Sequence, residues 1–325
     1  MIGNQINTHI KSVTAFAPAT SANFCVGFDL IGFAIADVGD TVQLIRRDDN
    51  QLRICQITGV IDDSVLSKDA DKNVVSIVIK KLIKDLGLTV GFDIYLDKGI
   101  TLGSGMGGSA ASSVAALMAF NEFFEIPLSL EQLVNYAVYG ESEVSGGAYH
   151  ADNVAPSMFG GLVLLQNSKP VELIQLPTCG LYAAIINPKM SIETKRARAI
   201  LNQPYPLKEI TSQTAALAAS IAALYRNDLT LLSQHLNDVL IEPRRKHLIK
   251  GYETVKNAAL ESGALACGIS GSGPSMFALA QTEDDASMIA KVMQYTFECL
   301  SVSSHSWVSS LDEAGAKILK ITKGS

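Results

Sequence analysis

Cysteine is scarce and scattered. Cys25, Cys55, Cys179, Cys267 and Cys299 are odd in number, and no two form a Cys-x-x-Cys pair. That argues against a disulfide framework and fits a reducing compartment. Histidine is as sparse, and no second one stands at ligand spacing from His150, which argues against zinc. Only 18% of residues are charged, with a formal net charge of −6. No lysine- or arginine-rich block reaches the density that nucleic-acid binding uses, so no nucleic-acid partner is expected. Long apolar runs are missing too. The longest helical apolar segment, around Ala215–Tyr225, is about half of what a membrane span requires. The start, Met1-Ile-Gly-Asn-Gln5, lacks the charged-then-apolar pattern of a signal peptide. These absences predict a cytoplasmic protein without a membrane partner.

What is present is a globular composition. The chain has 325 residues, 48% of them apolar, which suits two domains of ordinary size. Residues 13–60 read as β-rich, with a turn at Asp48-Asp-Asn-Gln51. Apolar residues at helical spacing predict a helix over 73–86, ended by Gly87. A strand over 92–96 and helices over 110–124 and 130–141 follow. Strand character returns at 161–166, and the turn Asn167-Ser-Lys-Pro170 marks an expected domain boundary, giving units 1–168 and 169–325. The second half begins with a strand at 181–186. Helical segments lie around 191–202, 210–226, 228–240 and 244–262. A strand at 276–280, a helix at 283–298 and a strand at 304–308 close the pattern. Strands and helices mix without a strict repeat, which predicts α+β rather than a doubly wound sheet.

Residues 99–116 carry the strongest functional signal. Gly103, Gly105, Gly107 and Gly108, with Ser104 and Ser109, run into an alanine-rich helix just after the strand Phe92–Leu96. Glycines let the backbone turn tightly and approach an anion, and helix-start N–H groups attract negative charge. A nucleotide phosphate is the expected ligand; a purely structural turn is the alternative. Gly103-x-Gly105-x-x-Gly108 formally matches the dinucleotide fingerprint. However, Glu122 and Glu125 lie at the helix end and cannot serve as the acid that should close a following strand. The Gly-Lys-Ser/Thr ending of a Walker loop is also missing.

Other residues gain meaning only together. Asn23 and Asp29 sit in a loop of small residues, Pro18–Asp29, where Asx-turn caps are the commoner explanation. Glu141 and Glu143 near a helix end are able to hold Mg²⁺, although a solvated helix end is the blander reading. The glycine-rich stretch 140–161 holds Ser145-Gly-Gly147, His150, Asp152 and Asn153, and long connections of this kind are usually functional. Thr194-Lys-Arg-Ala-Arg198 and Arg244-Arg-Lys-His247 are basic clusters, suited to a substrate carboxylate or simply to solvated helix faces.

Three motifs in order, Pro18–Asp29, Gly105-Met-Gly-Gly-Ser-Ala-Ala-Ser112 and Gly268-Ile-Ser-Gly-Ser-Gly-Pro-Ser275, resemble the superfamily of galactokinase, homoserine kinase, mevalonate kinase and phosphomevalonate kinase. The resemblance spans nearly the whole chain. Within the superfamily it runs closest to the homoserine kinases, through Ser21-Ala-Asn23, Gly27-Phe-Asp29, His150-Ala-Asp-Asn-Val-Ala-Pro156, Thr194-Lys-x-x-Arg198 and Ile241-Glu-Pro-x-Arg245. It implies a ribosomal-S5-like N-terminal domain, a ferredoxin-like C-terminal domain, an ATP site between them and a homodimer. It further implies ATP- and Mg²⁺-dependent phosphorylation of the side-chain hydroxyl of L-homoserine, a step of threonine biosynthesis. A same-fold kinase for another small alcohol and a non-catalytic sensor are the alternatives.

The roles implied by the resemblance are specific. Gly103, Ser104, Gly105, Met106, Gly107, Gly108 and Ser109 would wrap the ATP phosphates, and Asn73 would touch the nucleotide. Ser109 and Glu141 would hold Mg²⁺, with Glu143 as the fallback. Asn23, Asp29 and Asn153 would hold the amino and hydroxyl groups of homoserine. His150, Arg198 and Arg245 would bind its carboxylate, with Thr194 nearby. Asn153, Asp29 and Glu141 form the expected catalytic set. Mevalonate-type relatives carry aspartate where this chain has Asn153. An amide cannot take a proton, so Asn153 would orient the hydroxyl, and the proton would leave through Asp29, water or a phosphate oxygen. Gly108 departs from the usual serine of the loop, removing one side-chain contact.

Overall fold

Two long strands, β1 (Ile10–Asn23) and β2 (Gly27–Arg47), pair antiparallel at the start of the computed structural model, which describes residues 5–61, 64–145, 150–311 and 314–324. In the first half of β1, Val13 and Ala15 are buried and alternate with more exposed neighbours, the period of a one-sided strand. From Ala17 onward every residue of β1 is buried. Both faces are covered there, so the hairpin tip runs into the middle of the molecule.

The expected loop Pro18–Asp29 is therefore strand, a tight turn and strand again. Small residues that look loop-like in isolation are the ones that fit between two packed layers. At the tip, Asn23, Phe24 and Cys25 all have left-handed φ, at 81°, 40° and 58°. Such backbone is unfavourable for a bulky residue and persists only where its surroundings impose it. Phe24 supplies that constraint: it stacks with Phe277 and meets Phe33 edge-on, with centroids 6.5 and 6.2 Å away.

Strand β3 (Leu52–Gly59) runs parallel to β4 (Gly91–Lys98), with helix α1 (Val74–Leu86) as the crossover between them. Helix α1 ends at Gly87 in the left-handed conformation, φ 62°, as its sequence predicts. The alanine-rich α2 (Gly108–Asn121) is buried along almost its whole length and lies against β1 and β2. Helices α3 (Leu130–Ser145) and α4 (Val154–Phe159) pack beside it. Gly146 and Gly147 of the glycine-rich connection lie outside the described residues.

The expected division at 168/169 does not coincide with the sheets. After β5 (Leu162–Ser168), β6 (Val171–Leu176) folds back on it, and β11 (Lys317–Lys323) returns from the far end of the chain to pair with β1. Among the described residues the first sheet has seven strands, in order β11-β1-β2-β4-β3 with β5 and β6 branching from β2. β6 arrives as the local hairpin partner of β5, which itself pairs with β2, whereas β11 is an edge pairing decided by distant chain. The lysines Lys317, Lys320 and Lys323 suit an edge exposed to water.

The second sheet joins β7 (Tyr182–Pro188), β8 (Ala266–Ile269), β9 (Met276–Ala280) and β10 (Ser304–Ser310), antiparallel in order β10-β7-β9-β8. Helices α5 (Thr194–Ala199), α6 (Leu207–Arg226), α7 (Leu229–His235), α8 (Glu242–Arg245) and α9 (Tyr252–Glu261) separate β7 from β8, and α10 (Glu283–Cys299) separates β9 from β10. This is the ferredoxin-like arrangement, and the α+β expectation holds. No disulfide joins the five cysteines. Among the described residues no helix is long and apolar enough to cross a membrane.

Candidate active site

The glycine loop between β4 and α2 takes its shape from three left-handed residues, Gly103, Gly105 and Gly107, with φ of 64°, 78° and 67°. A Cβ at Gly105 would lie 2.5 Å from the Ser270 carbonyl oxygen, and one at Gly107 would lie 2.2 Å from Thr20 Oγ1. Only glycine fits either place. The motif at 268–275 clasps the loop. Ser270 Oγ donates to the Gly105 carbonyl at 2.8 Å, and the Ser275 N–H donates to that of Ser104 at 3.1 Å. Gly107, the N-cap of α2, has no side chain to occupy the first N–H groups, which leaves them to an anion in the cleft. Met106 departs from its expected place. Its side chain is buried away from the cleft, and only its backbone carbonyl serves the loop, accepting from the Thr20 N–H at 3.1 Å.

Beneath the loop lies a pair that sequence reasoning missed. Asp40 and Lys98 are register partners on β2 and β4, with side chains 0% and 2% exposed. Lys98 Nζ donates to the Asp40 carboxylate, to Ser112 Oγ at 2.9 Å and to the Gly108 carbonyl at 3.0 Å. Asp40 also accepts from Ser112 Oγ at 2.6 Å and from the Gly99 N–H at 3.1 Å. Burial pushes the Asp40 carboxyl up, and Lys98 opposes that. A signal was present: Lys98 falls in the buried phase of Phe92, Ile94 and Leu96, and Asp40 in that of Val38, Val42 and Leu44.

Ser109 and Glu141 meet across the cleft. Ser109 Oγ, in the first turn of α2, donates to Glu141 Oε2 at 2.5 Å from α3. Desolvation raises the Glu141 carboxyl, opposed by that hydrogen bond and by Lys98. Glu143 is exposed and does not line the cleft. An oxygen-donor pair beside an anion-binding helix start fits a hard divalent cation, which also relieves a desolvated carboxylate.

The other end of the cleft is charged. Arg198 donates to Asp29 in a bidentate fork, at 2.9 and 2.8 Å. Arg245, 3% exposed, is fixed by carbonyls, with Nε on Ala197 and one Nη on Gly271, each at 3.1 Å. Both guanidinium groups lie over the Phe28 ring, 5.3 and 5.0 Å from its centroid. Burial and the neighbouring Arg198 lower Arg245 to about 10. Burial and Arg198 also lower His150, whose Nδ1 is 3.3 Å from Arg198. Asn23 Nδ2 donates to the Gly271 carbonyl at 2.7 Å, tying the hairpin tip to the second sheet's loop. Thr194 Oγ1 is 3.4 Å from Ser272 Oγ.

Asn153 sits where the two ends meet. Its Oδ1 accepts from Thr20 Oγ1 at 3.0 Å and is 3.2 Å from where a Gly107 Cβ would be. Asp152, which the sequence places in the glycine-rich stretch without a role of its own, also lies here. It is 4% exposed, its Oδ1 has no hydrogen-bond partner, and burial with the nearby Asp29 raises its carboxyl to about 7.

One cavity of about 170 Å³ gathers these groups, lined by the loop, Ser109, Glu141, Asn153 and the charged cluster. Besides Met106, one expected residue stays outside it. Asn73 is buried as the N-cap of α1, accepting from the Val75 N–H at 3.1 Å and donating to the Ser67 carbonyl at 2.9 Å. Its Oδ1 caps the helix and its Nδ2 ties the preceding loop to it.

Comparison with known proteins agrees with this geometry. Residues 73–161 match the model for the N-terminal domain of GHMP kinases, and residues 220–299 match the one for the C-terminal domain. A homoserine kinase of Xylella fastidiosa is 42% identical over 305 residues, 94% of this chain and 93% of that protein. One of Chlorobaculum tepidum is 40% identical over 326 residues, 96% of this chain and all of its own length. The crystal structure of a homoserine kinase from Cytophaga hutchinsonii superposes with a TM-score of 0.91 at 40% identity, covering 95% of this chain and 98% of that one. Matches to both domain models, a TM-score of 0.91 and identity at this level over nearly the full length lead to one conclusion: the chain belongs to the GHMP kinases, in their homoserine kinase family.

Proposed function

We propose that the chain transfers the γ-phosphoryl group of ATP to the side-chain hydroxyl of L-homoserine, giving O-phospho-L-homoserine in threonine biosynthesis. One observation carries the reading: a single cavity has an anion-binding helix start at one end and an Asp29, Arg198 and Arg245 cluster at the other, with Asn153 between. An amino acid laid along it presents its charged end to the cluster and its hydroxyl to the phosphate loop. The names of the relatives at about 40% identity support the same substrate.

The chain's own groups divide the work of positioning and charge stabilisation on which phosphoryl transfer depends. The α2 N–H groups and the loop backbone bind the phosphates. Glu141 and Ser109 would hold Mg²⁺, which supplies charge neutralisation on the phosphate oxygens when bound. Thr20 donates to Asn153 Oδ1, which leaves Asn153 Nδ2 to donate to the acceptor hydroxyl oxygen. Asn153 cannot take the proton. Asp29 is committed to charged partners in the cluster, Arg198 in this structure, so it is assigned to binding, and the proton leaves through water or a phosphate oxygen.

We also place the protein in the cytoplasm as a homodimer. Five cysteines without a disulfide support the former, and the exposed Leu207, Ile210 and Tyr225 along α6 offer a face for the latter. The test of function is ATP consumption by the purified protein with Mg²⁺ and L-homoserine, mevalonate or galactose. Turnover with homoserine alone is expected, and none with homoserine overturns the reading.

A further inference from the structure

The charged end of the cleft is neutralised within itself. Asp29 and Arg198 bind each other through two hydrogen bonds, although the proposed substrate would bring an ammonium for the one and a carboxylate for the other, both on the same carbon. Their side chains are only 33% and 36% exposed, so separating them without replacement strands two partly desolvated charges.

We infer that the cleft selects zwitterions by exchange of partners: the ligand carboxylate takes Arg198 from Asp29 while the ligand ammonium takes Asp29 from Arg198. A ligand with one charge opens the fork yet leaves one side chain without a partner. A ligand with none leaves the fork closed and gains nothing from it. The inference rests on the substrate orientation proposed above and adds the physical basis of its selectivity.

The surrounding groups are arranged for the exchange. Ligand atoms of Asp29, His150 and Asp152 all lie within 4.8 Å of one another. A nitrogen about 2.8 Å from each of two carboxylate oxygens needs them no more than about 5.6 Å apart, so one ammonium reaches both Asp29 and Asp152. Asp152 Oδ1 is buried and has no other partner. On the opposite side, Arg198 Nε is buried without a partner, and Arg245 is fixed in place by the carbonyls of Ala197 and Gly271. Phe28 lies under both guanidinium groups and limits how far either can swing.

The test is a ligand cycle read by calorimetric binding and by phosphoryl transfer. Its members are L-homoserine, 4-hydroxybutanoate without the ammonium, 3-aminopropan-1-ol without the carboxylate, and propan-1-ol with neither. Exchange predicts that each singly charged ligand binds no better than about propan-1-ol, with a coupling of about tenfold or more between the two charges. Losses that simply multiply overturn the exchange, while homoserine turnover in the same experiment keeps the kinase reading. Non-additive binding without turnover does the reverse, and no homoserine binding at all overturns both. Asp29→Asn gives a second measure, because asparagine tolerates the left-handed backbone found at Asp29, φ 58°. Freed from its fork, Arg198 then binds 4-hydroxybutanoate about tenfold better than in the unaltered protein, whereas homoserine binds worse. Unchanged or weaker 4-hydroxybutanoate binding in a folded Asp29→Asn protein overturns the exchange.

Discussion

Replacing Lys98 by methionine keeps most of its volume and removes the ammonium group from beneath the phosphate loop. Asp40, fully buried, then retains only Ser112 and the Gly99 N–H as partners. Removing one member of a buried ion pair costs about 3–5 kcal/mol, because the remaining charge is stranded. For a chain of this size that corresponds to a fall in thermal midpoint of about 4–7 °C, followed by circular dichroism. The sign of the pH dependence is a further check. Asp40 is already raised by burial and rises further without Lys98, so it protonates more readily in the folded variant. The loss is therefore greatest near neutral pH and shrinks in acid. Adding Asp40→Leu removes the stranded charge and recovers most of the stability. Lys98 also donates to the Gly108 carbonyl in the first turn of α2, so the single variant raises the KM for ATP more than that for the acceptor. A loss below about 1 kcal/mol, or a double variant as unstable as the sum of the two single ones, refutes the assignment of this pair as the support of the loop.

Four further outcomes follow from the cleft. Asn153→Ala keeps ATP binding, measured by titration calorimetry, and lowers the transfer rate by about 10²-fold; an unchanged rate removes Asn153 from the reaction. Arg245→Lys raises the KM for homoserine more than that for ATP, because an ammonium cannot reproduce a fixed guanidinium fork. Glu141→Gln weakens activation in a Mg²⁺ titration by about tenfold or more, while Glu143→Gln, at an exposed position, leaves it unchanged. Asp152, raised to about 7 by burial and Asp29 with a further push from Glu141 and an opposing pull from Arg198, receives an ammonium only when ionised. The KM for homoserine therefore falls as pH rises through about 7, and Asp152→Asn flattens that profile.

The cleft was legible wherever chemistry is written locally. Glycines at 103, 105 and 107 are needed because each adopts a left-handed backbone, and a Cβ at any of the three would lie within 2.5 Å of a neighbouring atom. Asn23, Asp29, His150, Thr194, Arg198 and Arg245 all line one cavity with Asn153, as the motifs implied. Asn73 lies outside that cavity: a polar residue before a periodic helix serves equally as a cap, and its Oδ1 accepts from the Val75 N–H as one. Asp152 was passed over because nothing next to it in the chain reveals that its carboxyl is buried beside Asp29.

By itself, then, the sequence determined the loop, helix α1 with its end at Gly87, the α+β class and the residue types gathered in the cleft, since backbone stereochemistry and periodicity act over a few residues. The tertiary structure alone decided the rest. It placed the β5–β6 hairpin beside β2 and β11 beside β1, turned Pro18–Asp29 from loop into a buried hairpin, and joined Lys98 to Asp40 and Arg198 to Asp29. Those outcomes depend on desolvation and on partners far apart in the chain, and neither can be read until the chain has folded.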